Sequence, residues 1–396
     1  MFKYWIALSL VACAFYEALL YFIIPGRSYP SMPDMRITKD FVALASSLAI
    51  GLYVLYHHGL KPMKNVWLGA FMVFLVFNLF KIPNASISLQ GVNVNGMWNG
   101  FPAFQIMVYF FLFIGMASAP EIHCETVKKV IFSTVAWSGF AMACYMILQA
   151  LSLDQIMTTY DKSIVLATKN PAIAGTLGQP TLCAPFLVMC LPFMLNTEKR
   201  VMAVITMFGV FLSGSAVAIM SMASIFILFL LYKLKNHRTL LCAGAMFGAL
   251  YLLCSFVWFK RLDFFCDNGR FAIWEKTLED FAQSLNSVFT GAGVGSYKFL
   301  FALKNGNTWF QAHNDYLQLL FTCGIIGVFL VGMFLKTMAE KTLKTLNQET
   351  FTLSLAFISV LICACGTFVF QLGVYQFYSV IILGMIYNLT REVQDA

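Results

Sequence analysis

His313 is the side chain best suited to moving a proton. Asn314 and Asp315 follow it, and an apolar run begins at Tyr316. Asp315 with Gln318 three residues on reads as a capping box opening a helix. That sets His313 just outside the helix's positive end, where the dipole disfavours a second positive charge and keeps the imidazole neutral. A neutral imidazole is a usable general base. Taken alone, the position is better explained as a histidine satisfying loop backbone at a helix start. Gln311 and Asn314 flank it as candidate substrate contacts.

Cations form the second group. Arg270 follows Gly269 at the start of a stretch, Asn268–Asn286, whose apolar residues Phe271, Trp274, Leu278, Phe281 and Leu285 lie near helical spacing. Lys260 and Arg261 directly follow an apolar run. A planar guanidinium grips phosphate oxygens with two bonds, so a diphosphate is the ligand these positions suit. Contact with lipid head groups explains Lys260 and Arg261 equally well. Lys81 and Lys169 are weaker candidates of the same kind.

Gly291-Ala292-Gly293-Val294-Gly295-Ser296 looks like a nucleotide loop and fails as one. No lysine stands in P-loop position, no third glycine completes a dinucleotide fingerprint, and no strand–helix unit surrounds it. It reads as a tight turn that lets backbone approach closely. Glu17 is the only acidic residue well inside an apolar run and reads as a polar contact within a helix bundle.

The elements that must position these groups follow from composition. Hydrophobic residues make up 60% of the 396 residues and charged residues 11%. Soluble domains run to about 45–50% and about 25%. This chain therefore takes the bilayer as its solvent. The cysteines lie mostly in apolar runs and read as small apolar residues, with no zinc-type spacing. Twelve candidate spans are counted: 5–24, 41–56, 66–80, 101–118, 130–151, 182–195, 201–213, 216–232, 239–259, 316–335, 351–370 and 374–389. Pro185 and Pro192 are expected to kink the sixth. The first reads as an uncleaved anchor, because it lacks a small-residue cleavage site.

Lys and Arg number fourteen in the loops on the side of the N-terminus, among them Lys128, Lys199, Lys233 and Lys341. The short loops opposite hold six, and the long loop 260–314 another six. This bias puts both termini in the cytoplasm and makes 152–181 and 260–314 outer loops. It also accounts for the net charge of +8 without nucleic acid. Residues 1–396 read as one polytopic membrane domain.

The residues then accumulate into a family pattern. Gly269-Arg270-Phe271-Ala272-Ile273-Trp274, Gly291 to Ser296, Ala312 to Gln318 and Gly324-Ile325-Ile326-Gly327 together resemble the O-antigen ligase and polymerase superfamily. Its signature is H-[N/S/Q]-x9-G-x-x-G, matched by His313, Asn314, Gly324 and Gly327. Gly178-Gln179-Pro180 resembles the family's G-N-P or G-Q-P element, which makes Gln179 a candidate contact. Two positions depart from the pattern. Ser213-Gly214-Ser215 stands where the family often has Ser-Arg-Gly, and Thr322 where it often has Glu.

The resemblance implies an all-α membrane fold of about twelve spans, glycosyltransferase C-like, with amphipathic helices in a long outer loop. It implies a transferase that moves a glycan from a polyprenyl diphosphate carrier to a hydroxyl, at the outer face of the bacterial inner membrane. His313 would be the base and Arg270 a diphosphate contact, with inversion at the anomeric carbon and no metal or other cofactor. A ligase with a lipid A-core acceptor is the first reading. Next come a polymerase with a growing glycan as acceptor and a protein O-oligosaccharyltransferase. A lipid-linked sugar transporter is the rival from another class; it would be expected to show repeat symmetry and broken spans at midplane.

Overall fold

In the structure, a computed structural model, the described residues are 1–23, 32–59, 66–79, 87–89, 92–94, 97–151, 153, 175–177, 180–197, 199–233, 270–297 and 311–395. Long apolar stretches with few charges fold as helices because each backbone group is then satisfied within its own segment. The helices are α1 (Phe2–Ile23), α2 (Met32–His58), α3 (Val66–Leu79), α4 (Met97–Ser118), α5 (Glu125–Ala150), α6 (Pro180–Asn196) and α7 (Arg200–Leu212). They continue with α8 (Ala216–Lys233), α9 (Arg270–Ala282), α10 (Leu285–Thr290), α11 (Asp315–Lys344), α12 (Gln348–Ala364) and α13 (Gly373–Asp395). The only sheet among the described residues is an antiparallel pair, β1 (Ile87–Leu89) and β2 (Val92–Val94).

Ten of the twelve expected apolar runs fall on helices; 351–370 is helical only to Ala364, and 239–259 lies outside the described residues. Among the described residues, four helices are long and apolar enough to cross a membrane: Asp40–His58, Glu125–Ala150, Ala216–Lys233 and Asp315–Lys344. The protein is thus a membrane protein whose described residues are helical apart from one short hairpin.

Helix α6 sits at the centre, packed by α5, α7, α8 and α12. Its side chains from Leu182 to Met194 are almost entirely shielded. The helix continues through Pro185 and Pro192. Cys190 and Cys363 fill core positions, as small apolar side chains do. Residues Gly175–Leu177 form a tight turn tucked into the bundle. The Gly175 N–H donates to Gln149 Oε1 at 2.8 Å, and the Thr176 hydroxyl to the Ala14 carbonyl at 2.7 Å.

The two ends of the bundle differ in chemistry. At one end, Lys128 bridges Glu349 at 2.6 Å and Glu125 at 3.1 Å, and His58 meets Glu121 at 2.6 Å. Lys128 ties the starts of α5 and α12 together, and His58 ties the end of α2 to the turn just before α5. At the other end lie the start of α11 and the segment after α12, which form the site described next.

Candidate functional site

Helix α11 starts one residue earlier than the sequence implies. Asn314, not Asp315, is the cap: its Oδ1 accepts the N–H groups of Tyr316 at 3.0 Å and Leu317 at 3.1 Å. The side chain of Asp315 is thereby released for another partner. Its carboxylate is buried and accepts the backbone N–H of Phe370 at 2.9 Å and the Gln371 amide at 3.2 Å. Gln318 does not close a capping box. It turns back, and its Oε1 accepts the Ala312 N–H at 3.2 Å.

His313 lies between these anchors with φ of 51°, the one positive φ outside glycine among the described residues. Left-handed backbone costs a side-chain-bearing residue on the order of 1 kcal/mol and persists where its surroundings over-determine it. The surroundings do so on both sides. Ala312 is held through its N–H by Gln318 and through its carbonyl by Trp274 Nε1 at 2.9 Å. Asn314 and Asp315 are held by their own side chains. The imidazole meets the edge of Phe368, with ring centres 4.9 Å apart and planes at 83°.

Arg270 begins α9, and its Nη1 donates to the Gly366 carbonyl at 3.0 Å. Gly366 and Phe368 belong to the turn between α12 and α13, so that turn receives both Arg270 and His313. A side chain at Gly366 would collide with Val217 at the start of α8. This brings Ser213-Gly214-Ser215, where the family arginine is missing, to within two residues of the same place.

Helix α9 is shorter than the amphipathic stretch read from the sequence. It ends at Ala282, and Ser284 caps a separate α10 by accepting the Ser287 N–H at 3.1 Å. Its inner face carries Ile273, with Trp274 and Phe281 packed partly against the same cluster. Ile273 and Thr277 are buried, while Phe271 and Leu278 are exposed. Thr277 bonds the Tyr297 hydroxyl at 2.8 Å, and Tyr297 packs on Phe321 of α11. Burial pushes the Tyr297 phenol up to about 12, so it stays protonated and holds α9 to α11 throughout the neutral range.

The glycine motifs explain each other. Gly324 breaks the helical path of α11 at φ 65°, and Gly291 has φ 72°. A Cβ on Gly291 would meet the backbone of Thr322 and Cys323, and one on Gly324 the backbone of Gly291 and Phe289. Ala292 and Gly293 donate to the carbonyls of Phe321 and Thr322, both at 2.9 Å. The turn 291–296 therefore docks on the kink, as a close-approach turn should. Gly324→Ala and Gly291→Ala are each expected to cost more than about 1 kcal/mol of stability. Gly332→Ala, in open space, is expected to be neutral. Thermal midpoints in detergent check this.

Of the candidates named from sequence, His313, Arg270 and Asn314 come together here. Gln311 is described and half-buried beside them. Lys81, Lys169, Gln179, Lys260 and Arg261 lie outside the described residues, as do Gly178 and Cys266. Sequence reasoning misses the turn 366–371, because it closes an apolar run, and reads Asp315 only as a helix cap. Gly366, Gln371 and Gly373 are the marks that could have revealed the break.

Residues 201–332 match the family model described as O-antigen ligase. No curated protein matches the chain. The matched segment holds Arg270, the turn 291–296, His313-Asn314 and the pair Gly324 and Gly327, but neither Gly178-Gln179-Pro180 nor the turn 366–371. That segment, a third of the chain, is similar to the O-antigen ligase family and supports the O-antigen ligase and polymerase superfamily.

Proposed function

We propose that this protein is an inverting, metal-independent glycosyltransferase of the O-antigen ligase type. Its donor is a glycan on polyprenyl diphosphate, and its acceptor is a hydroxyl of lipid A-core. The observation that carries this reading is the meeting of His313 and Arg270, from separate segments, on one turn at one end of the bundle. His313 takes the acceptor proton as the hydroxyl oxygen attacks the anomeric carbon. The new C–O bond forms as the bond to the diphosphate breaks, and polyprenyl diphosphate leaves with the electron pair. Arg270 neutralises the charge that builds on the leaving group. Of the remaining cations, Lys260, Arg261, Lys81 or Lys169 would supply the contact that Ser213-Gly214-Ser215 lacks. Asn314 acts by capping the helix that presents His313.

Ligase and polymerase are separated by acceptor. Purified enzyme given lipid-linked glycan with lipid A-core should yield a single glycan-capped lipid A-core product. A ladder of lengthening carrier-linked glycans, formed without lipid A-core, would make it a polymerase.

In this reading both termini are cytoplasmic, and the loop 260–314 carries the site on the outer face. The charge bias of the loops supports it. So does the gathering of Lys128, Glu349, His58 and Glu121 at the end opposite His313. Labelling intact cells with an impermeant thiol reagent is expected to mark Cys266 and not Cys124, each as the sole cysteine. Cys124 is exposed, so lack of labelling reports its side of the membrane rather than burial. The reverse pattern would overturn the orientation.

A further inference from the structure

We infer that Asp315 and Gln371 are positioning residues: they lock the His313 loop to the turn 366–371, making that turn, which lies outside the family-matched segment, a working part of the site. The inference rests on the glycosyltransferase reading above.

Five contacts from four side chains converge on the turn and its approach. The Asp315 carboxylate accepts from Phe370 N–H and from the Gln371 amide. Arg270 donates to the Gly366 carbonyl. The ring of Phe368 meets the His313 imidazole edge-on. Tyr316 OH donates to the Leu361 carbonyl at 2.8 Å, one helical turn before α12 ends. The turn itself is fixed from behind, since the Gly373 N–H donates to Asp40 Oδ1 at 2.7 Å. Phe368 and Val369 are buried.

The geometry assigns the roles. Asp315 is too buried to meet a glycan, so it acts through its partners. It is two residues from His313, and its acceptors reach residues two and three beyond Phe368. Losing it frees the His313 loop and the Phe368 ring to shift against each other, and with them the spacing between base and guanidinium. Misplacing a reacting group by about 1 Å can cost about a hundredfold in rate. Nothing in this role requires a negative charge, only an acceptor facing the Phe370 N–H. An asparagine offers that acceptor, and the Gln371 amide can turn its oxygen toward the asparagine NH2.

The test is glycan transfer in proteoliposomes, with carrier binding and thermal midpoint measured in parallel for Asp315→Ala, Asp315→Asn, Gln371→Ala, the Asp315→Ala/Gln371→Ala double variant and His313→Ala. Asp315→Ala is expected to lower kcat roughly 10- to 100-fold with carrier binding unchanged. Asp315→Asn should recover most of that loss. Gln371→Ala should fall by less, and the double variant no further than Asp315→Ala, because Gln371 acts through Asp315. An asparagine variant as inactive as the alanine one would make Asp315 a charged participant and overturn the inference. So would parallel losses of binding and thermal midpoint in Asp315→Ala and Gln371→Ala, which mean structural support alone. Wild-type kcat in Asp315→Ala alongside an inactive His313→Ala would sink the inference and leave the transferase reading standing. Wild-type transfer by His313→Ala would sink the reading itself.

Discussion

Replacing His313 by alanine is expected to lower glycan transfer by a factor of about 10²–10⁴ while expression and carrier binding persist. A sugar hydroxyl is a poor nucleophile near neutral pH, and the rate depends on a base that takes its proton during attack. His313 is the one histidine on the site side in the topology read from the charges. His57, His58 and His123 lie at the opposite end of the bundle, where His58 pairs with Glu121. The alanine also relieves no backbone problem, because φ of 51° disfavours alanine as well. A His313→Asn variant, better suited to left-handed backbone, separates the two effects: it should fold at least as well as the alanine variant and be as inactive. Asn314→Ala is expected to be milder, losing a helix cap worth about 1 kcal/mol. Transfer by His313→Ala at the wild-type rate would remove the general-base role.

Arg270→Lys is expected to keep the charge and lose most of the activity, roughly 10- to 100-fold. A lysine cannot offer two parallel N–H groups to a phosphate while also holding the Gly366 carbonyl. One charge-assisted hydrogen bond is worth about 1.5–3 kcal/mol, which is that range of rate. The loss should fall on donor binding and kcat together, with acceptor KM unchanged. A lysine variant with near-wild-type transfer would reduce Arg270 to a residue that ties α9 to the turn after α12.

Much of the helical framework was legible because apolar run length and charge spacing report helices in a membrane directly. Local signals near the site were legible only to within a residue or two. Asp315 and Gln318 have the spacing of a capping box, but Asn314 is an equally good cap and lies one residue earlier. Taking the cap there sends both other side chains to tertiary partners. The stretch 268–286 has a helical period, yet its buried face is set by Tyr297 and Phe321, which are distant in sequence. Phe271 and Leu278 are exposed, with Phe271 meeting the ring of Trp274, so the apolar period alone does not say which side of the helix faces protein and which faces the membrane. The turn 366–371 was read as the end of a span running to Phe370. Its role depends on where α11 and α9 dock, and no local pattern encodes that. The glycine motifs were read individually as a turn and a family mark. Their joint meaning, a turn seated on a helix kink, needed the contact between residues 291 and 324.

The central claim is that the protein forms a glycosidic bond rather than moving its lipid-linked substrate. The direct measurement is transfer by the purified wild-type protein in liposomes containing lipid-linked glycan and acceptor, with movement of the carrier between leaflets followed in the same vesicles. The account predicts glycan appearing on the acceptor, with release of polyprenyl diphosphate in equal amount and no need for the protein to move the carrier. Carrier binding and movement between leaflets with no glycan on any acceptor would contradict it and make the protein a transporter.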